Sequence, residues 1–237
     1  MTLPAPYYES PTGLGRLYCG DCLEILPHLG PVDAVVTDPP YGISYQSARR
    51  TDKESRFAIL DGDNAVPIEW IQASFPEGDG IASLMMFCRW DTAEIFRMAI
   101  ENSKWHLRTQ CVWDRLSHGL GDLKAQHAPR HDIMWFATKG DFCFPGKRPT
   151  SMYRSMREPG GKIEHPTPKP IGLMVDIVKD ITRINETVLD PFLGSGTTAV
   201  ACERLGRRWI GIEISEDYCA IAARRIAAET RQRMLFT

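Results

Sequence analysis

The sequence lacks any apolar run that approaches the roughly 20 residues of a membrane-spanning helix, which excludes a role inside a bilayer. It also lacks a strong net charge: the formal value is -2 over 237 residues, so the chain as a whole is not drawn to nucleic acid. Residues 1–15 lack the basic and then apolar pattern of a secretory signal. These absences, with 43% hydrophobic and 24% charged residues, predict a single globular domain over residues 1–237 that works in the cytoplasm.

Paired cysteines are missing as well. The count of seven is odd, and without an export signal it favours reduced thiols. Cys19 and Cys22 have C-x-x-C spacing, but no second pair accompanies them, and a structural zinc site needs four clustered ligands. We therefore expect no disulfide and no metal.

Hydrophobic patterning predicts an α/β fold. Strands are predicted over residues 32–37, 81–88, 108–113 and 132–138, and helices over residues 91–102 and 173–184. The last third predicts a strand, a glycine turn, a helix, a strand and a helix, over residues 187–192, 193–197, 198–205, 208–214 and 216–231. Such a run is half of a doubly wound nucleotide-binding sheet. Residues 42–66 and 140–170 lack apolar periodicity and are predicted to be long loops.

The glycine turn is typical of a ligand-binding βα turn, because Gly194 and Gly196 let backbone N–H groups approach a ligand. The turn lacks the lysine of a phosphate-binding loop and does not match G-x-G-x-x-G, which weakens the NTPase and dinucleotide interpretations. Asp190 precedes the turn and is able to attract a cation. Glu213 ends the next strand, about twenty residues further on, where an acid meets ribose hydroxyls.

The segment Asp38-Pro39-Pro40-Tyr41 follows a buried strand. Proline has no N–H, so the carbonyl groups of this rigid segment stay unpaired and outward-facing. With the Asp38 carboxylate they form an array of acceptors beside an aromatic ring. This array suits a planar group that carries an amine and stacks on Tyr41, whereas the alternative is a strand-ending turn with an aromatic lid.

Four segments in order resemble one family: G-D-C-L-E (20–24), D-P-P-Y (38–41), H-P-T-P-K-P (165–170) and D-P-F-L-G-S-G-T (190–197). Together they resemble the amino-group DNA methyltransferases that use S-adenosylmethionine, over about residues 17–226. The catalytic tetrapeptide precedes the cofactor glycines, which is similar to the circularly permuted β-group of that family.

The resemblance implies a doubly wound, Rossmann-like methyltransferase sheet flanked by helices, with double-stranded DNA as substrate, a homodimer and a role in restriction–modification. S-adenosylmethionine would be the cofactor and S-adenosylhomocysteine the product, with no metal. The family's pattern assigns the target base to Asp38, Pro39, Pro40 and Tyr41. It assigns cofactor contacts to Asp21 and Cys22 near the adenine, to Glu213 and Ile214 near the ribose, to Asp190, Pro191, Phe192, Gly194, Ser195, Gly196 and Thr197 around the methionine, and to His165, Thr167 and Lys169 at its amino-acid end.

The implied mechanism starts from the low nucleophilicity of a base amine. Hydrogen bonds to Asp38 and to the Pro39 carbonyl would localise the nitrogen lone pair for in-line attack on the methyl carbon, without a covalent intermediate. The base has to be flipped out of the duplex, and Tyr41 would stack on it. Aspartate at the first motif position favours N6-adenine. Cytosine N4, RNA or a free nucleotide, a non-catalytic nucleic-acid-binding relative and a nicotinamide-dependent oxidoreductase remain alternatives.

Local basic stretches predict where DNA binds, since arginine and lysine neutralise phosphates. The candidates are Arg49, Arg50, Lys53 and Arg56 in one stretch and Lys147, Arg148, Arg154, Arg157 and Lys162 in another. The loops 42–66, 114–131 and 140–164 are the candidate DNA contacts, with His118, His127, Arg130 and His131 in the second. The recognition region before the 165–170 segment is short. This predicts a short or relaxed target sequence, readout by the other two loops, or help from a second subunit.

Overall fold

The computed structural model describes residues 3–41, 66–74, 80–119, 123–125, 127–156 and 169–234. Its strands are β1 (Tyr8–Glu9), β2 (Gly15–Cys19), β3 (Ala34–Thr37), β4 (Ala82–Cys88), β5 (His106–Asp114), β6 (His131–Lys139), β7 (Met152–Arg154), β8 (Thr187–Asp190) and β9 (Arg208–Glu213). Its α-helices are α1 (Cys22–Ile25), α2 (Glu69–Ala73), α3 (Ala93–Glu101), α4 (Ile171–Ile181), α5 (Thr197–Leu205) and α6 (Glu216–Met234), and a 3-10 turn, Leu26–His28, follows α1.

All these strands belong to one sheet in the order β1-β2-β9-β8-β3-β4-β6-β5-β7. The five strands from β2 to β4 run parallel, β6 is antiparallel to β4 and β5, and β5 and β7 pair in parallel. The carboxyl ends of β2, β9, β8, β3, β4, β5 and β7 therefore lie at one edge of the sheet. In open α/β sheets ligands bind at this edge, so we call it the carboxyl edge.

Both faces of the central sheet are covered, which explains why its strands are almost continuously apolar. Ala34 and Val36 of β3 pack on one face in a core that includes α4, α5 and α6. Val35 faces the opposite side, in a core that includes α1, α2 and α3. The prediction of a doubly wound α/β sheet is confirmed. None of the helices in these described ranges combines the length and apolar character that crossing a membrane requires.

The predicted elements are found at nearly the predicted positions, with three differences. The α3 helix begins after Thr92, and Asp91 pairs with Arg89 at 2.7 Å instead of capping the helix, because the guanidinium competes for its carboxylate. The region 140–164 is not wholly a loop, since β7 adds to the edge of the sheet. The β1–β2 hairpin and α2 were not predicted, because each is too short to give a periodic signal.

Candidate active site

Neighbouring strands bring the predicted site segments together at the carboxyl edge. Residues 38–41 follow β3, residues 191–196 follow β8, Glu213 ends β9, and residues 20–22 follow β2. Adjacent strands lie about 4.8 Å apart. Segments that are distant in the sequence therefore form one continuous row.

We call the part of this row that residues 38–41 form the Asp38 corner, and the Asp38 carboxylate lies at its centre. The Tyr41 hydroxyl donates to Asp38 Oδ1, and the Lys169 ammonium pairs with Asp38 Oδ2. Burial first, and then the Asp38 charge, raise the pKa of Tyr41 well above its ordinary value, so the phenol is a neutral donor. Within the described ranges no donor is bonded to the Pro39 carbonyl oxygen. The corner thus holds a carboxylate, an open carbonyl and an aromatic ring, as the acceptor array requires.

Lys169 reaches this corner from the start of α4. Its Nζ lies 4.6 Å from the centroid of the Phe87 ring, within the distance of a stabilising cation–π contact. Its side chain is nearly buried, so the charge is held beside Asp38 and not in solvent. The structure therefore brings Lys169 to the predicted target-base corner, although the resemblance assigned it to the amino-acid end of the cofactor.

Asp190 joins the two central strands. Its Oδ1 accepts from Thr37 Oγ1 at 2.7 Å and from Phe192 N at 3.1 Å, and its Oδ2 accepts from Thr198 Oγ1 at 2.6 Å. Burial raises the pKa of Asp190 to about 6, against these hydrogen bonds, which lower it. The carboxylate thus ties the end of β3, the glycine turn and the start of α5 together.

The glycine turn needs its glycines for backbone conformation. Gly194 and Gly196 both have positive φ, 54° and 85°. A Cβ on Gly196 would approach the Ala222 Cβ to 3.0 Å, so α6 packs directly against the turn. An alanine at this position would be strained in conformation and crowded in space. The turn is therefore shaped by close packing as well as by its conformation.

Glu213 connects this turn to the next strand. Its carboxylate accepts from Gly194 N at 2.8 Å and from Ser215 N at 2.9 Å. The residue is buried, and the exposed Ile214 follows it. The predicted ribose acid thus lies directly beside the predicted methionine turn, held by backbone donors on both sides.

The N-terminal segment completes the row beyond Glu213. Gly20 N donates to the Glu213 carbonyl at 2.9 Å, and Asp21 caps α1 by accepting from Leu23 N at 2.9 Å. Cys22 is buried, and burial raises the pKa of its thiol to about 12. It is therefore a neutral, apolar neighbour of the edge.

Several residues of this edge carry no sequence signal of their own. The buried Trp70 of α2 packs edge-on against Phe192, with ring centroids 5.6 Å apart. Arg225 of α6 donates to Ser195 Oγ at 2.7 Å and approaches Thr197 Oγ1 to 3.3 Å. Only the tertiary fold brings these side chains to the turn, and local patterns could not have identified them. Thr37 had one weak signal, a hydroxyl at the end of an otherwise apolar strand.

Only some of the predicted DNA-contact residues belong to the part of the chain that the structure describes. Arg154 ends β7 at the carboxyl edge, where it is exposed. Lys147 and Arg148 are exposed on the β6–β7 connection, which starts from the opposite edge. The described residues do not include Arg49, Arg50, Lys53, Arg56, Arg157 and Lys162, nor the predicted cofactor contacts His165 and Thr167.

Comparison with known proteins agrees with this arrangement. The N6/N4 methyltransferase family model, described as DNA methylase, matches residues 32–224. YubD of Escherichia coli strain K12 is 30% identical over 224 residues, 92% of each chain. The Type II methyltransferase M.HpaI of Haemophilus parainfluenzae is 25% identical over 90% of this chain and 74% of that protein.

Solved structures are similar over almost the whole chain. The complex of M1.HpyAVI with SAM has a TM-score of 0.70 and 25% identity, and the match covers 90% of this chain and 98% of that one. The cytosine-N4-specific PvuII DNA methyltransferase shares the fold, with a TM-score of 0.66, 18% identity, and coverage of 96% and 94%. The oxidoreductase interpretation has no support among these findings. The chain belongs to the N6/N4 DNA methylase family.

Proposed function

We propose that this DNA methyltransferase transfers a methyl group from S-adenosylmethionine to the N6 amine of adenine in double-stranded DNA. One observation carries the proposal: along the carboxyl edge the order is Asp21, Glu213, the glycine turn and Asp38. This order corresponds to the adenine, ribose and methionine of one extended cofactor, followed by its methyl acceptor.

The residues present fit the cofactor. The Glu213 carboxylate ends the strand beside the turn, where it is able to accept from ribose hydroxyls. The exposed side chain of Ile214 offers apolar surface beside it. M1.HpyAVI, with the same fold, is a SAM complex, and this likeness supports S-adenosylmethionine here. When bound, S-adenosylmethionine supplies a methyl group on a positively charged sulfur.

The protein's part in the reaction is to position and polarise the amine. Asp38 and the Pro39 carbonyl accept the two amine protons, which localises the lone pair on nitrogen. As the nitrogen–carbon bond forms and the carbon–sulfur bond breaks, nitrogen becomes positive, and Asp38 stabilises that charge and accepts the departing proton. Tyr41 donates to Asp38 and holds the carboxylate in this orientation.

Lys169 has to leave Asp38 before this chemistry begins. Its ammonium occupies an acceptor that the amine needs, and its charge has the same sign as the sulfonium. We infer that in the loaded enzyme Lys169 turns to the cofactor carboxylate, the role that the resemblance implies. The same ammonium would then neutralise Asp38 before the substrates bind and the cofactor carboxylate afterwards.

The choice of adenine rests on the aspartate at position 38 and on the resemblance. Cytosine N4 is the alternative, because cytosine presents an equivalent amine and the cytosine-N4-specific PvuII enzyme shares the fold. M.HpaI is named a Type II methyltransferase, and on this likeness we propose a role in restriction–modification for the present protein too.

The test is incubation of the protein with unmethylated genomic DNA and labelled S-adenosylmethionine, followed by mass spectrometry of the nucleosides. N6-methyldeoxyadenosine is expected. Detection of N4-methyldeoxycytidine instead would mean that cytosine is the target base. Label that appears only in a control with RNA would overturn the assignment of DNA as the substrate. Methylation-sensitive sequencing of the same product gives the target sequence.

A further inference from the structure

The Asp114 carboxylate, at the carboxyl end of β5, organises a group of exposed side chains. It accepts from Arg130 Nε at 2.7 Å and Arg130 Nη2 at 3.0 Å, and Arg154 Nε lies 4.0 Å away. The guanidinium of Arg130 holds the pKa of Asp114 at about 2. The side chains of Arg130 and Arg154 are 56% and 68% exposed. Two arginines thus share one carboxylate, and the group keeps a net positive charge that faces solvent.

The same carboxylate holds an exposed leucine in an unusual conformation. Leu116 N donates to Asp114 Oδ1 at 3.0 Å, and Leu116 has a φ of 58°, which is rare for a residue with a Cβ. Its side chain is nevertheless 46% exposed, so burial of the leucine does not stabilise this conformation. The backbone around it holds an apolar side chain out toward solvent.

The neighbouring Arg115 explains why the turn keeps this conformation. Its buried guanidinium donates to Asp132 at 3.0 Å and to the Pro129 carbonyl at 2.6 Å, and its backbone N donates to Arg130 O at 3.1 Å. These bonds hold the Arg115 side chain inside the protein, and Arg130 holds the Asp114 side chain. The side chain of Leu116, which follows them, projects into solvent. Strained positions that the surroundings enforce in this way are concentrated at functional sites.

The position of this group suits double-stranded DNA. The end of β5 is three strands from the end of β3, about 14 Å at 4.8 Å for each step, and at the same edge as Asp38. An extruded base leaves a gap in the duplex, and proteins that unstack bases insert apolar side chains such as leucine between them. Exposed arginines beside such a side chain bind the flanking phosphates.

We propose that Leu116 enters the duplex where the target base leaves, while Arg130 and Arg154 hold the phosphates on either side. This rests on the proposed function, because it needs a base that is flipped toward Asp38. Leu116 then acts on extrusion of the base and not on the methyl transfer itself.

The test compares Leu116→Gly with wild type on two short duplexes that carry the target sequence found by methylation-sensitive sequencing. In one the target base is paired, and in the other it faces an abasic site, where extrusion is already easy. We expect kcat/KM to fall about tenfold or more on the paired duplex and to stay near wild type on the abasic one. Leu116→Met, which keeps the apolar bulk, should have a kcat/KM near that of wild type on the paired duplex.

Two controls separate this result from misfolding. Glycine accommodates a positive φ, so Leu116→Gly should keep or raise the thermal unfolding midpoint. Ile184→Gly removes another exposed aliphatic side chain, next to the amino end of β8 at the opposite edge, and should methylate both duplexes normally. An equal loss on both duplexes, or no loss on the paired one, would overturn the role of Leu116. A wild-type protein that methylates neither duplex would overturn the proposed function as well.

Discussion

The ammonium of Lys169 lies against the Asp38 carboxylate, which we propose as the acceptor for the amine of the target base. The two residues are 131 positions apart in the sequence and meet because α4 begins beside the carboxyl edge. The contact indicates that the protein's own cation neutralises the Asp38 carboxylate. A ligand that brings a positive charge has to compete with it.

Lys169→Met tests this competition. Methionine keeps an unbranched apolar chain but leaves Asp38 without its cation, so the site should favour a cationic ligand more strongly. We expect the affinity for S-adenosylmethionine relative to neutral S-adenosylhomocysteine to rise several-fold, about 1 kcal/mol, by calorimetric titration of both. Lys179→Met, on the exposed surface of α4, should leave the ratio unchanged. An unchanged ratio in Lys169→Met would mean that the ammonium does not compete with the sulfonium.

Asp38→Asn tests the acceptor role of the carboxylate. The amide keeps the size but lacks the charge that stabilises nitrogen as it becomes positive, so kcat should fall about 10²–10³-fold, whereas the affinity for the cationic S-adenosylmethionine should fall only several-fold. Single-turnover methylation and calorimetry measure the two effects separately. Asp91→Asn is a matched control, because this carboxylate follows β4 at the same edge but pairs with Arg89. Wild-type turnover in Asp38→Asn would remove Asp38 from the mechanism.

Glu213→Ala should weaken cofactor binding and stability together. It removes the acceptor of the Gly194 and Ser215 N–H groups, which costs about 1–3 kcal/mol of the free energy of unfolding. Glu213→Gln retains one acceptor, so it should recover much of the stability but little of the affinity for S-adenosylmethionine. Urea denaturation and calorimetry provide the two measurements. If the glutamine variant bound the cofactor as tightly as wild type, the ribose contact would be excluded.

The raised pKa of Asp190 leads us to expect a specific pH dependence of stability. Its pKa is about 6 in the folded protein and 3.8 in an ordinary aspartate, so the folded state binds the proton more tightly than the unfolded chain. Protonation of Asp190 therefore stabilises the folded state by up to about 3 kcal/mol. This contribution is complete below about pH 4 and is lost as the pH rises through about 6. Asp190→Asn should lack this component in urea denaturation between pH 4 and pH 7. A difference between wild type and variant that stays constant with pH would contradict it.

The parts of the fold that the sequence predicted are those with local causes. The buried strands β3 and β4 are mostly apolar, and the turn before α5 requires glycine at Gly196, so both leave clear signals. Parallel strands place their carboxyl ends together, which explains why segments named by the resemblance meet at one edge. Their order along that edge was not predicted and comes from the strand order of the sheet.

The contacts that the sequence did not predict depend on chain segments that meet only in the folded state. Arg225 reaches the turn from α6, Trp70 packs on Phe192 from a five-residue helix, and Lys169 contacts Asp38, whereas the resemblance assigned it to the amino-acid end of the cofactor. None of these positions has a periodicity that would have indicated its neighbours.

The central claim is that the Asp38 corner and the glycine turn form one methyl-transfer centre. It is tested most directly by a crystal structure of the protein with S-adenosylmethionine bound, in which the methyl carbon is located relative to Asp38. We predict that the methyl group points toward the Asp38 carboxylate at about 5 Å, which leaves room for one nitrogen within about 3.5 Å of the carbon. A methyl group that points away from Asp38, or lies beyond about 10 Å from it, would contradict the account, because no amine held by Asp38 would then reach it.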